Sequence, residues 1–161
     1  MIRQRTFILL SGFVVLIDQL SKQLVLNTLA QNESLQVIPD FFSLTHVRNT
    51  GGAFGLFAGE ATAIRTALFL IISCVAVGIL WYLYRTVTQG RKWIGAGFSL
   101  ILAGAVGNMI DRFRFGEVVD FLDVHIGAYH WAAFNVADSD ICVGVGILLV
   151  NMFRHSSTNS Y

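Results

Sequence analysis

The chain is short of almost everything a water-facing surface is made of. Asp, Glu, Lys and Arg together make up only 13% of the 161 residues, the chain has one proline, and 55% of its side chains are hydrophobic. A soluble domain of this length does not have such a composition, so the chain is expected to live in a membrane. Its formal net charge of +1 excludes the basic surface that nucleic-acid binding needs. Cysteine is scarce too: Cys74 and Cys142 stand alone inside apolar stretches, which excludes a disulfide framework or a cysteine zinc site and suggests buried packing.

What is there in abundance is long hydrophobic runs. A hydrocarbon core of about 30 Å takes roughly 20 helical residues to cross. Four stretches qualify, at about 6–26, 65–84, 93–112 and 138–152, joined by external loops at 27–64 and 113–137. The first run follows Arg3 and Arg5 and has the outline of a secretory leader. Asp18 and Lys22 interrupt its second half, and no small-residue cleavage site follows, so it is read as a retained span.

Basic residues near span ends are kept on the cytoplasmic side. Arg3, Arg5, Arg85, Arg91, Lys92 and Arg154 all fall on the face that carries both termini, and that face carries no acid. Both termini are therefore expected to be cytoplasmic. Every acid lies within a span or on the opposite, external side, together with Arg48 and Arg114. The first external loop contains "LQVIPDFFSLTHV", which reads as a β-hairpin around Pro39-Asp40, followed by the glycine-rich turn "NTGGAFG".

In the third span Gly95, Ser99, Ala103 and Gly107 recur at intervals of four, a small-residue stripe that lets a neighbouring helix approach. One further step reaches Asp111, which is thereby directed into the bundle, with Asn108 and Arg112 flanking it. Asp18 and Lys22, also four apart, can pair on one helical face. In the fourth span Asp138, Cys142 and Gly146 share a face in the same way.

Ionisable residues inside a membrane cost a few kcal/mol each and point to function. Asp18, Asp111 and Asp138 lie toward the external ends of three spans, and Asp120 follows the third by a short loop, "GEVVDFLDVH". In a compact bundle these acids converge on one outer patch. Two carboxylates about 3 Å apart share a proton, so that one serves as base toward water and the other as acid toward a carbonyl. Peptide hydrolysis without a metal follows, with water available at the membrane surface.

Rival constellations are weaker. Ser139 has no histidine near it in sequence and reads as a capping or packing residue. His125 and His130 with Asp123 match no metal spacing and read as polar residues of an interfacial strand, with Asp123 itself an exposed loop acid. Asp140 lies about 200° round the helix from Asp138 and is expected outside the pair. A cation-coupled transporter would also carry membrane acids, but near the midplane and in two related halves, which this chain lacks. A non-catalytic assembly factor would tolerate loss of either Asp120 or Asp138.

Five blocks, "DQLSK" from Asp18, "RNTGGAFG" from Arg48, "GNMIDR" from Gly107, "VVDF" from Val118 and "FNVADS" from Phe134, occur in the order and spacing of lipoprotein signal peptidase, also called signal peptidase II. The resemblance spans nearly the whole chain. It implies an all-α membrane protein of one domain, four transmembrane helices with a small external, cradle-like β element, in the bacterial inner membrane. It implies an aspartic endopeptidase that removes the signal peptide from diacylglyceryl-modified prolipoproteins, cutting before the lipidated cysteine. Asp120 and Asp138 match the catalytic pair. Asn49, Gly51, Asn108, Arg112 and Asn135 match positions that line the site or meet substrate, and Asp18, Lys22 and Asp111 match supporting positions. No cofactor or metal is implied. The partners are prolipoproteins and membrane lipids, the unit is expected to be a monomer, and the site is expected at the external face, in a groove open sideways to lipid. Gly52 stands where the family commonly has alanine.

Overall fold

The computed structural model describes residues 4–51, 63–87 and 92–158, the last four of these in backbone only. Gly52, the rest of the glycine-rich turn, Arg3 and Arg91 lie outside the described residues. Four helices are long and apolar enough to cross a membrane: α1 (Gln4–Thr28), α2 (Ala63–Val87), α3 (Lys92–Phe115) and α4 (Val136–Thr158). Each outruns the expected span, because hydropathy marks the hydrocarbon layer whereas backbone hydrogen bonding continues a helix past it.

α3 is the central helix. Its buried residues include Gly95, Ser99, Ala103, Gly107 and Asp111, the stripe read from the sequence. The small side chains are needed on both sides. A methyl group at Gly104 would collide with the Ala137 carbonyl oxygen, and one at Gly144 would meet the Gly97 carbonyl oxygen at 2.7 Å. On the α1 side, Ser11 and Ser99 join their hydroxyls at 2.8 Å and Ser99 donates to the Phe7 carbonyl at 3.2 Å. Near the N-terminal end Phe7 stacks on Tyr84, with ring centroids 3.7 Å apart, and packs with Ile94 and Phe98. α2 buries only Tyr84 among its described residues, so its apolar sides are left for lipid.

α4 packs by a different face from the one expected. Gly144 is buried against α3, whereas Cys142 and Cys74 are exposed and nothing lies near Gly146. The close approach at Gly97 and Gly104 selects the face of α4 that carries Ala137, Ile141 and Gly144. That leaves Asp138 and Cys142 turned toward a cavity.

The external segments form one antiparallel sheet in the order β1 (Ser34–Ile38), β2 (Phe42–Asn49), β3 (Val118–Ile126) and β4 (Tyr129–His130). β1 and β2 are the expected hairpin, turned at Pro39-Asp40 with Asp40 at φ 56°. Leu44 pairs with Leu122 but Val47 pairs with Asp120, so β2 carries one extra residue there. This bulge changes which β2 side chains share a face with Asp120, and it brings Val47 and Asn49 round to that face.

β3 sets its acids among apolar neighbours and is buried on both faces. Val118, Val119, Asp120 and Phe121 are all buried. Asp123 is also buried, contrary to its reading as an exposed acid: it accepts a hydrogen bond from His130 Nδ1 at 2.9 Å, and the His130 ring stacks on His125. His125 in turn meets the Ser43 hydroxyl at 3.2 Å.

Candidate active site

Two elements deliver two carboxylates. Asp120 lies on β3, and Asp138 lies in the first turn of α4. Asp138 is not the N-cap residue of α4. Asn135 takes that place: its Oδ1 accepts from the Asp138 N–H at 3.0 Å, and the Asp138 Oδ2 accepts from the Asn135 N–H at 3.1 Å. This reciprocal capping box satisfies two free donors of the helix end and fixes the Asp138 rotamer. The helix N-terminus also favours negative charge there. Ser139 bonds back to the Asn135 carbonyl at 3.0 Å, as a packing residue does.

Two asparagines connect the acids. Asn135 Nδ2 donates to Asp120 Oδ1 at 2.7 Å and to Asn108 Oδ1 at 3.1 Å. Asn108 Nδ2 donates to Asp138 Oδ1 at 2.8 Å. Asp120 Oδ2 accepts from Asn49 Nδ2 at 2.9 Å. The acids are thereby linked through asparagine amides, each of which occupies one lone pair of a carboxylate and leaves others free. Both acids still open onto one cavity of about 790 Å³, lined also by Asn49, Gly51, Asn108, Arg112, Trp131, Phe134 and Cys142.

Burial, first of all, pushes the Asp120 carboxyl up to about 7. The Asn49 hydrogen bond opposes this, the charge of Asp138 adds to it, and the Asn135 hydrogen bond and the charge of Lys22 oppose it. Near neutrality Asp120 thus holds a proton for a large share of the time.

Asn49 is held in place by its own backbone. Its Oδ1 accepts the Gly51 N–H at 3.0 Å, so that N–H is already taken. Arg112 donates to the Asn108 carbonyl at 3.3 Å and its guanidinium lies 5.2 Å from the centre of the Phe69 ring, at the cavity wall.

Behind the cavity, Lys22 uses its three donors on three partners: Asp18 Oδ2 at 2.9 Å, Asp111 Oδ2 at 2.9 Å and Asn108 Oδ1 at 3.1 Å. Lys22, Asp18 and Asp111 are all about 2% exposed or less. The acids reach further. Asp111 Oδ2 accepts the Val119 N–H at 3.2 Å, beside Asp120, and Asp18 Oδ1 accepts the Ala137 N–H at 2.9 Å, beside Asp138. Gly107 leaves the room for this, since a methyl group there would sit 2.5 Å from Asp18 Oδ2. Gln19, which the sequence reading passed over, donates to Asp18, Asp111 and the Gly107 carbonyl. Its position next to Asp18 in an apolar span was the available signal. Asp140 is not among the residues that line the cavity, and one of its carboxylate oxygens is buried without a hydrogen-bond partner among the described residues.

The chain has relatives along nearly its whole length. A family model described as signal peptidase (SPase) II matches residues 10–154. A lipoprotein signal peptidase of Desulforapulum autotrophicum is 52% identical over 145 residues, 89% of this chain and 89% of that one. That of Syntrophotalea carbinolica is 51% identical over 93% of this chain and 92% of its own, and that of Staphylococcus aureus 37% identical over 94% and 90%. Among solved structures, a bacterial membrane enzyme determined by the in meso method superposes with a TM-score of 0.87 at 35% identity, covering 98% of this chain and 93% of that one. A second gives 0.81 at 36% identity, over 92% and 93%. With its four membrane-crossing helices, its four-stranded sheet and these matches along nearly its whole length, the chain belongs to the signal peptidase II family of bacterial membrane proteases.

Proposed function

We propose that this protein is an aspartic endopeptidase of the bacterial inner membrane that removes signal peptides from prolipoproteins, cutting just before the lipid-modified cysteine. The observation that carries the reading is the pair of carboxylates opening onto one cavity, each held by its own set of asparagine amides. Asp138, at a helix N-terminus, is the base that takes a proton from water. Asp120, protonated near neutrality, donates a hydrogen bond to the scissile carbonyl and stabilises the oxyanion that forms there. When the tetrahedral intermediate collapses, Asp138 passes the proton taken from water to the leaving amine, while Asp120 keeps its own. Asn49, Asn108 and Asn135 keep the two acids apart in role, and Arg112 faces the same cavity.

The groove suits a substrate that is itself a membrane helix. Its walls are largely apolar, with Ile141, Cys142 and Val143 of α4 on one side and Trp131, Ala132, Ala133 and Phe134 on the other. In this reading both termini are cytoplasmic, the cavity faces outward, and one chain suffices. Family membership removes the transporter and assembly-factor alternatives.

The test is cleavage of a diacylglyceryl-modified prolipoprotein by the purified protein in detergent, followed as a gel shift. Asp120→Asn and Asp138→Asn should each abolish product while the protein stays folded, and chelators should leave the rate unchanged. Turnover by either variant would overturn the assignment of the pair.

A further inference from the structure

On the external side, Arg48 of β2 and Arg114 near the end of α3 converge on one ring. The Arg48 guanidinium carbon lies 4.7 Å from the centre of the Phe115 ring and that of Arg114 lies 4.6 Å from it. Neither forms an ion pair with any described residue. Arg114 reaches only the neutral amides of Gln19 and Gln23, at 3.5 and 3.4 Å. The buried acids nearby are already engaged, Asp18 and Asp111 by Lys22 and Asp123 by His130. Two like charges thus share a ring without an ion-pair partner among the described residues, Arg48 half-buried and Arg114 exposed.

We propose that Arg48 and Arg114 bind the phosphodiester headgroup of a net-anionic phospholipid. Planar guanidinium groups match phosphate oxygens in bidentate fashion, and the shared ring holds both in place before the ligand arrives. Basic pockets between membrane helices are a recurring form of headgroup site. The apolar lane for acyl chains is also present. Leu16, Leu20 and Leu24 are 54%, 60% and 64% exposed on α1, at helical spacing with Gln19 and Gln23. This site is separate from the cavity: Val47 and Asn49, on either side of Arg48 in β2, face the cavity, so Arg48 projects from the other face of the sheet.

Native mass spectrometry of the detergent-solubilised full chain, titrated with phosphatidylglycerol or phosphatidylcholine, tests this. The unmodified protein should retain one phosphatidylglycerol in preference to phosphatidylcholine. Arg48→Gln and Arg114→Gln should each weaken that retention about tenfold, as loss of one charge-assisted hydrogen bond predicts. Phe115→Leu, which keeps both charges, should weaken it less, and Arg85→Gln at the opposite end should not change it. Prolipoprotein cleavage in detergent should persist in the Arg48 and Arg114 variants, which certifies their fold and keeps this outcome distinct from that of the catalytic pair. Equal retention of the two lipids, equal retention by the glutamine variants, or full displacement by inorganic phosphate would each overturn the proposal.

Discussion

If Asp120 works as the acid, its proton must be present, and the rate must fall as pH rises through its pKa of about 7. At substrate well below KM, where the profile reports the free enzyme, and about one pH unit above that value, roughly a tenth of the plateau rate should remain. Asn49→Ala removes the largest influence that opposes protonation, the hydrogen bond at 2.9 Å. Such a bond to a charged group contributes about 1.5–3 kcal/mol, and one pKa unit corresponds to about 1.4 kcal/mol, so the limb should move up by about one to two units. The sign follows from which form is active: the protonated carboxyl is neutral, and deleting a donor to the ionised form favours the neutral one. Absolute rates will also fall because Asn49 lines the cavity, so the quantity to compare is the position of the alkaline limb, each profile scaled to its own plateau. The assay is the initial cleavage rate of lipid-modified prolipoprotein between about pH 5 and pH 9, with protein integrity checked at each point. A flat wild-type profile over that range, or a limb that moves to lower pH in Asn49→Ala, would refute the assignment.

Three further outcomes follow from the same geometry. Lys22→Met strands two buried acids, Asp18 and Asp111, and should cost about 3–5 kcal/mol, read as a large drop in the thermal midpoint in detergent. Gly104→Ala forces α4 away at Ala137, directly before Asp138; the midpoint should fall only modestly, whereas a displacement of about 1 Å at the base should lower the cleavage rate about a hundredfold. Cys142 lines the cavity one turn from Asp138, so a bulky thiol reagent should block cleavage, Cys142→Ala should confer resistance, and Cys74→Ala should not.

Much of the bundle was legible because a membrane simplifies the code. Hydropathy located the four helices, and the four-residue stripe correctly aimed Asp111 inward, since small residues mark where helices touch. The pairing of Asp18 with Lys22 was legible for the same reason, being local to one helix. What eluded the sequence was anything set by long-range pairing. The β2 bulge that turns Asn49 toward Asp120 depends on register between segments some 70 residues apart, and register has no local signature. The buried pairing of Asp123 with His130 was missed because a polar strand at an interface reads as solvent-facing until β4 folds back on it. The face of α4 was misjudged for a related reason: Cys142 and Gly146 are small, but the notches at Gly97 and Gly104 lie opposite Gly144 and Ala137. The acids were legible from their places at the span ends, but Asn49, Gly51 and Asn135 emerged only through the motif blocks, since nothing in their spacing alone says that Asn135 bonds to both acids.

Lys22 belongs to the first helix to enter the membrane, yet its two carboxylate partners reach the backbone immediately beside each cavity acid, on segments synthesised about a hundred residues later. An incompletely inserted chain therefore has no aligned acids with which to cut its neighbours. On the proposed catalytic pair, cleavage then requires the last helix to be in place, which is a safeguard that the fold itself supplies during biogenesis.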